Sequence, residues 1–150
     1  MVLIPEYFTL ATFIKAIPNV LNFENKRKYF KKELEKMKKG RQRHNDLSLR
    51  VKRKDIFMET YAQLGHKSVE DLKGKLHVNF IGEAGSDLGG LSRDFYVELS
   101  RAMFNPNYSL FKLSSNGVTY YPDVHSSVNP NHLNFFKFIG RIVGKALFDG

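Results

Sequence analysis

The residues best placed to do chemistry lie in one run, FIGEAGSDLGGLSRDF, residues 80 to 95. Glycine stands at Gly82, Gly85, Gly89 and Gly90, carboxylates at Glu83 and Asp87, and a cation at Arg93. Upstream, Leu76, Val78 and Phe80 alternate with His77 and Asn79, the period of a half-buried strand. Downstream, Leu91, Phe95, Leu99 and Met103 recur four apart as one side of a helix. Asn105-Pro106 stops that helix, because proline cannot continue the hydrogen-bond ladder. A strand, a glycine loop and a helix can cradle a phosphate. Neither G-x-G-x-x-G nor a terminal Gly-Lys-Ser/Thr is present, however, and two carboxylates at a helix N-terminus repel a phosphate while satisfying the dipole themselves. The pattern instead supports Asp87 as the helix cap, Gly89-Gly90 as a close approach of the first turn to a sheet, and Arg93 as the cation that reaches back to Glu83 or Asp87.

Other chemistry is thin. The chain has no cysteine, so it holds no disulfide, no cysteine zinc site and no cysteine nucleophile. His44, His66, His77, His125 and His132 show no H-E-x-x-H or other ligand spacing, and neither a metal nor a cofactor is expected. Gly85-Ser86-Asp87 is not a G-x-S-x-G elbow.

The 150 residues, 42% hydrophobic with 13 Phe and 7 Tyr, have the size and composition of one globular domain. No apolar run is long enough to span a bilayer and no signal-peptide pattern opens the chain. The expected location is cytoplasmic or nuclear, with no membrane partner. The net charge of +9 is concentrated: Lys26 to Lys54 holds 14 Lys or Arg against three acids, a net of +11, which leaves −2 for the rest. That stretch reads either as a nucleic-acid-binding module on residues 26–54 or as a solvated basic face.

The elements that must position these residues follow in order. Residues 4–17 read as an apolar helix between Pro5 and Pro18. Asn22 caps a basic helix from Phe23 to Lys39, with Phe23, Phe30, Leu34 and Met37 in a narrow stripe and Gly40 beyond its end. Residues 41–46 form a polar linker, and Leu47, Leu49 and Val51 alternate as a strand. Asp55 is expected to cap a helix with Phe57, Tyr61 and Leu64 on one face, closed by Gly65. Ser68 and Asp71 form a capping box that leads back to the strand at Leu76, and two strands with a helix between them can pair in parallel. Leu110–Leu113 and Val118–Tyr121 flank Asn116-Gly117 as a hairpin. Asn129-Pro130 opens a helix to about Phe148 that is apolar nearly all round, hence buried. Gly140 and Gly144 in it would admit another element.

Three blocks of residues resemble one family. Gly82, Glu83, Gly85, Asp87, Gly89, Gly90 and Arg93, then Met103-Phe104-Asn105-Pro106 with Tyr108, Leu110 and Phe111, resemble the N-lobe of HECT-type ubiquitin ligases. So do Asn129-Pro130 through Phe138-Ile139-Gly140-Arg141, and more briefly Phe23 to Phe30, which looks like the domain entry of very large ligases. The family has Arg-Glu-aromatic where this chain has Arg93-Asp94-Phe95, which leaves open which cation that carboxylate meets. The resemblance implies an α+β, mainly helical fold, the large subdomain of a HECT N-lobe with short strands and a β-hairpin. Residues 1–22 would be a helical extension and 23–150 the N-terminal part of the N-lobe. It further implies ubiquitin, a ubiquitin-conjugating enzyme, protein substrates and the ligase's own C-lobe as partners. The catalytic cysteine and the conjugating-enzyme subdomain would lie beyond this chain, making it inactive alone. Tyr61 matches the tyrosine of a non-covalent ubiquitin exosite found in some members, and a core role beside Phe57 and Leu64 competes with that.

Overall fold

The computed structural model describes Thr12, Ala16 and residues 18–39, 45–83 and 90–150. The helix expected over 4–17, the linker at 41–44, and Gly85, Asp87 and Gly89 therefore lie outside the described residues, Thr12 and Ala16 excepted. The chain divides into two compact units, Met1–Gln42 and Arg43–Gly150.

In the first unit, α1 (Phe23–Lys39) follows a short 3-10 turn at Pro18–Val20. Its cap is the expected one: Asn22 Oδ1 accepts the Asn25 amide at 2.9 Å, satisfying one donor that the first turn cannot pair internally.

The second unit is built on two parallel strands, β1 (Leu47–Val51) and β2 (Leu76–Phe80), joined through α2 (Ile56–Leu64). Leu47 faces Leu76, Leu49 faces Val78 and Val51 faces Phe80, so the period-two apolar sets of both strands share one buried face. Against it pack α2 and α3 (Gly90–Met103), the latter through Phe95, Leu99 and Met103. Phe57 is the aromatic centre, with Tyr108, Phe135 and Phe138 rings at 4.6, 5.4 and 5.8 Å. The last helix, α4 (His132–Asp149), buries Phe135, Phe138, Ile139 and Ile142.

Local details depart from expectation in five places. Gly90 is exposed with open space where a Cβ would stand, so the close approach to a sheet expected at Gly89-Gly90 is not made at Gly90. Asp55 occupies the cap position of α2 but makes no capping bond, since the 3-10 turn Arg53–Asp55 runs directly into the helix; Glu59 reaches back to accept the Lys52 amide at 2.7 Å. The hairpin strands are β3 (Phe111–Leu113) and β4 (Tyr120–Pro122). Asn116 Oδ1 accepts the amides of both Val118 and Thr119, drawing those residues into the turn, and Gly117 supplies the positive φ of 70°. Helix α4 starts at His132 rather than Pro130, since Asn129 folds its side chain onto the Asn131 amide and donates to the Tyr108 carbonyl. That helix is also buried on one face only: Leu133, Val143 and Leu147 are exposed, and the space above Gly140 and Gly144 is open. The capping box forms as expected, with Ser68 Oγ accepting the Asp71 amide and Asp71 accepting the Ser68 amide, both at 3.0 Å.

Candidate functional site

Parallel pairing brings the carboxyl ends of β1 and β2 together, and the Ile81 amide continues the ladder to the Val51 carbonyl at 2.9 Å. Two residues beyond β1 stands Arg53, and three beyond β2 stands Glu83. Arg53 donates from Nε and from a terminal nitrogen to the two Glu83 oxygens at 2.6 and 2.9 Å, a fork matched to a carboxylate. The same terminal nitrogen donates to Asp94 Oδ2 at 2.6 Å. The guanidinium also lies 4.0 Å from the centre of the Phe80 ring. One cation thus ties the segment after β2 to α3 at Asp94, just past its first turn. The Arg53 hydrogen bonds hold the Glu83 carboxyl below its ordinary range, and the bonds to Glu83 and then Asp94 push the Arg53 guanidinium up.

Arg93 was the cation expected here. It is exposed, and Glu83 is taken by Arg53; the alternative partner, Asp87, lies outside the described residues. The neighbouring carboxylate whose cation the resemblance left open, Asp94, also finds Arg53. Nothing local announces that residue, which reaches its partners 30 and 41 positions away through the strand pairing.

Tyr61 on α2 is half-buried. Its ring lies edge-on to Phe135 at 4.8 Å and Phe138 at 5.3 Å. Just past that helix, Arg141 of α4 donates to the carbonyls of Gly65 and Lys67 at 3.1 and 2.8 Å, completing the C-terminal end of α2. Asn105 caps the 3-10 turn Pro106–Tyr108, its Oδ1 accepting the Asn107 amide, as its place before proline suggested.

Lys145 is a residue that sequence reasoning missed. Its Nζ is buried, donating to the Gly74 carbonyl at 2.9 Å and to Asp149 Oδ1 at 3.0 Å, while the Tyr96 hydroxyl donates to the other Asp149 oxygen at 2.8 Å. Burial, then the hydrogen bond to Asp149, pushes the Tyr96 hydroxyl up. A helical wheel carries the signal for Lys145, which continues the buried row of Phe138 and Ile142. The histidines are spread apart: His77 meets Asp46, His125 meets Asp123 and His132 Nδ1 lies 3.0 Å from Ser126 Oγ. Among the described residues no group of three or more His, Asp or Glu could hold a metal ion, and no helix is long and apolar enough to cross a membrane.

Among the described residues two polar fasteners, at Arg53 and at Lys145, tie the elements together. Residues 97–150, from α3 through α4, match the family model of the HECT domain, described as ubiquitin-transferase. The chain is 48% identical over 131 residues to the E3 ubiquitin-protein ligase HUWE1 of Mus musculus, an alignment covering 87% of this chain and 3% of that protein. It is 44% identical over 134 residues to the ligase TOM1 of Saccharomyces cerevisiae, covering 88% and 4%, and 40% identical over 147 residues to UPL1 of Arabidopsis thaliana, covering 95% and 4%. The chain therefore spans only three to four per cent of the length of these relatives. The nucleic-acid reading of residues 26–54 finds no support: the relatives are ubiquitin ligases by name. Arg53, one of the basic residues, is engaged by Glu83 and Asp94.

Proposed function

This chain belongs to the HECT family of ubiquitin ligases, and from that premise we propose that it is N-lobe scaffold for a ligase that passes ubiquitin through a cysteine thioester to substrate lysines. Residues 23–150 form the N-terminal part of the lobe and residues 1–22 its extension. The reaction forms a thioester by attack of a thiolate on the thioester carbonyl that joins ubiquitin to a conjugating enzyme, whose thiolate leaves; a substrate amine then takes the acyl group as an amide and the ligase thiolate leaves. This chain has no cysteine, so the nucleophile comes from the C-lobe, and the chain's own share is rigid placement. The observation that carries the reading is the 48% identity to the mouse ligase over 131 residues, 87% of this chain.

Ubiquitin, a conjugating enzyme, protein substrates and the C-lobe are the proposed partners, in the cytoplasm or nucleus. Tyr61, half-buried with its ring edge-on to Phe135 and Phe138, is the proposed ubiquitin contact. The motif residues Gly82, Glu83, Gly85, Asp87, Gly89, Gly90, Arg93, Asn105 and Pro106 are proposed to shape the lobe rather than to react.

The test replaces the matching segment of the mouse ligase with this chain. The chimera is expected to form a thiol-sensitive ubiquitin adduct and to modify substrate, while residues 1–150 alone form none. A chimera that folds but never takes ubiquitin overturns the reading. Titration of labelled ubiquitin with the chain, wild type against Tyr61→Ala, checks the exosite separately.

A further inference from the structure

The hairpin between β3 and β4 closes on Asn116-Gly117, the one Asn-Gly pair among the eleven asparagines of the chain. An asparagine side-chain amide is an acyl donor, and the backbone nitrogen of the next residue is the nucleophile held closest to it. Glycine leaves that nitrogen unshielded, since it has no Cβ. At Gly117, whose φ is 70°, no heavy atom beyond its chain neighbours lies within 4 Å of where a Cβ would stand. Asn105 and Asn129 precede proline, which has no N–H to lose. The other eight asparagines precede residues whose side chains crowd the nitrogen. The turn keeps both reacting groups engaged. Asn116 Oδ1 accepts the Val118 and Thr119 amides at 2.9 and 3.0 Å, and Nδ2 donates to Thr119 Oγ1 at 3.0 Å. The Gly117 amide donates to the Ser114 carbonyl at 2.9 Å.

We propose that Asn116 is a self-modifying site gated by the hairpin turn: closed, the turn preserves the asparagine, and opened, it lets Asn116 convert to aspartate and isoaspartate. Once the Gly117–Ser114 bond opens and solvent base takes the Gly117 amide proton, the nitrogen attacks Asn116 Cγ. The N–Cγ bond forms, the Cγ–Nδ2 bond breaks, and Nδ2 leaves as ammonia with a proton from water. Water then opens the cyclic imide. Attack at Cγ breaks the new bond and gives aspartate. Attack at the Asn116 backbone carbonyl carbon breaks the original peptide bond and gives isoaspartate, whose chain runs on through Cγ. Isoaspartate adds a methylene to the backbone of a turn that sets strand register. Ser114 N bonds the Thr119 carbonyl at 2.7 Å, Leu113 pairs with Tyr120, and the Tyr120 ring stacks on Phe104 at 4.3 Å. That register and that stack are what the modification loosens.

The test incubates the whole 150-residue chain in neutral and in mildly alkaline buffer made with heavy-oxygen water, and maps the label by peptide mass spectrometry. Methyl transfer by an isoaspartyl methyltransferase measures isoaspartate independently. Conversion is expected at Asn116 ahead of every other asparagine, and faster in the alkaline buffer. Thr119→Val removes the acceptor of Nδ2 and should speed conversion about two- to tenfold, the factor that one ordinary hydrogen bond supplies. Hydrogen exchange at the Gly117 amide should rise with it, while Thr119→Ser, which keeps the hydroxyl, stays near wild type. Melting curves confirm that each variant folds. If Thr119→Val does not, wild-type conversion followed against Gly117 exchange, in denaturant below the unfolding transition, decides. No conversion at Asn116, conversion spread evenly over the asparagines, a folded Thr119→Val chain that converts no faster, or conversion that rises without Gly117 exchange each overturns the proposal.

Discussion

At the scale of single residues, two buried polar groups face opposite fates. Thr60 is fully buried in α2, and its hydroxyl has no hydrogen-bond partner. An unmet hydroxyl in an apolar setting carries a desolvation cost with nothing to offset it. Thr60→Val keeps the shape and removes the orphan, so it should raise stability by about 1 kcal/mol in denaturant titration; a loss would show that the hydroxyl finds a partner in solution. Lys145 is the converse case, since its ammonium meets both the Gly74 carbonyl and Asp149. Lys145→Ala should cost about 3 kcal/mol, because it leaves a cavity, a bare carbonyl and a half-paired carboxylate. Lys145→Met, which keeps the stem, should cost clearly less. Equal losses would mean that the ammonium and its hydrogen bonds alone, not the packing of the stem, are at stake.

At the scale of elements, the junctions matter more than the elements. Gly74 precedes β2, and a Cβ there would lie 2.1 Å from the Asn45 carbonyl oxygen, just ahead of β1. Gly74→Ala must therefore push the two strand entries apart, with an expected loss of about 1–3 kcal/mol. Hydrogen exchange should rise first at Leu47 and Leu76, and unchanged protection there would refute the mechanism. At the other strand ends the Arg53 bonds hold the Glu83 carboxyl low. A carboxyl lowered in the folded state contributes stability that is whole above its unfolded value, about 4.3 for glutamate, and is lost as pH falls through the folded value. Asp123, lowered by the His125 amide and then by Lys112, acts in the same direction. The melting temperature should thus drop below about pH 4.3, and Arg53→Gln should flatten that acid limb. Parallel curves for the two proteins would exclude Arg53 as the cause. Salt should weaken the effect, since the pair is exposed.

At the scale of the whole molecule, what was legible in the sequence was what is local. The alternation of Leu47, Leu49 and Val51, the Ser68–Asp71 box and the proline stop at Asn105 each depend on neighbours within a few positions, and each stands in the structure. Arg53 with Asp94, and Lys145 with Gly74, are joined across 41 and 71 positions, and only strand pairing and helix docking bring them together. The same limit separated the two faces of α4. Its composition reads as buried all round, yet burial depends on what lies opposite. Leu133, Val143 and Leu147 share a face with the open Gly140 and Gly144. Nearby in sequence, Val118, Tyr120 and Tyr121 of the hairpin region are also exposed. Apolar surface gathered along one helix in this way draws in partners or copies of itself. The isolated chain is expected to bind an apolar-sensing dye and to associate as concentration rises. Val143→Lys with Leu147→Lys should abolish both without lowering the melting temperature, because neither side chain is in the core. A wild-type chain that stays monomeric and dye-silent at high concentration would show that this face is covered in solution.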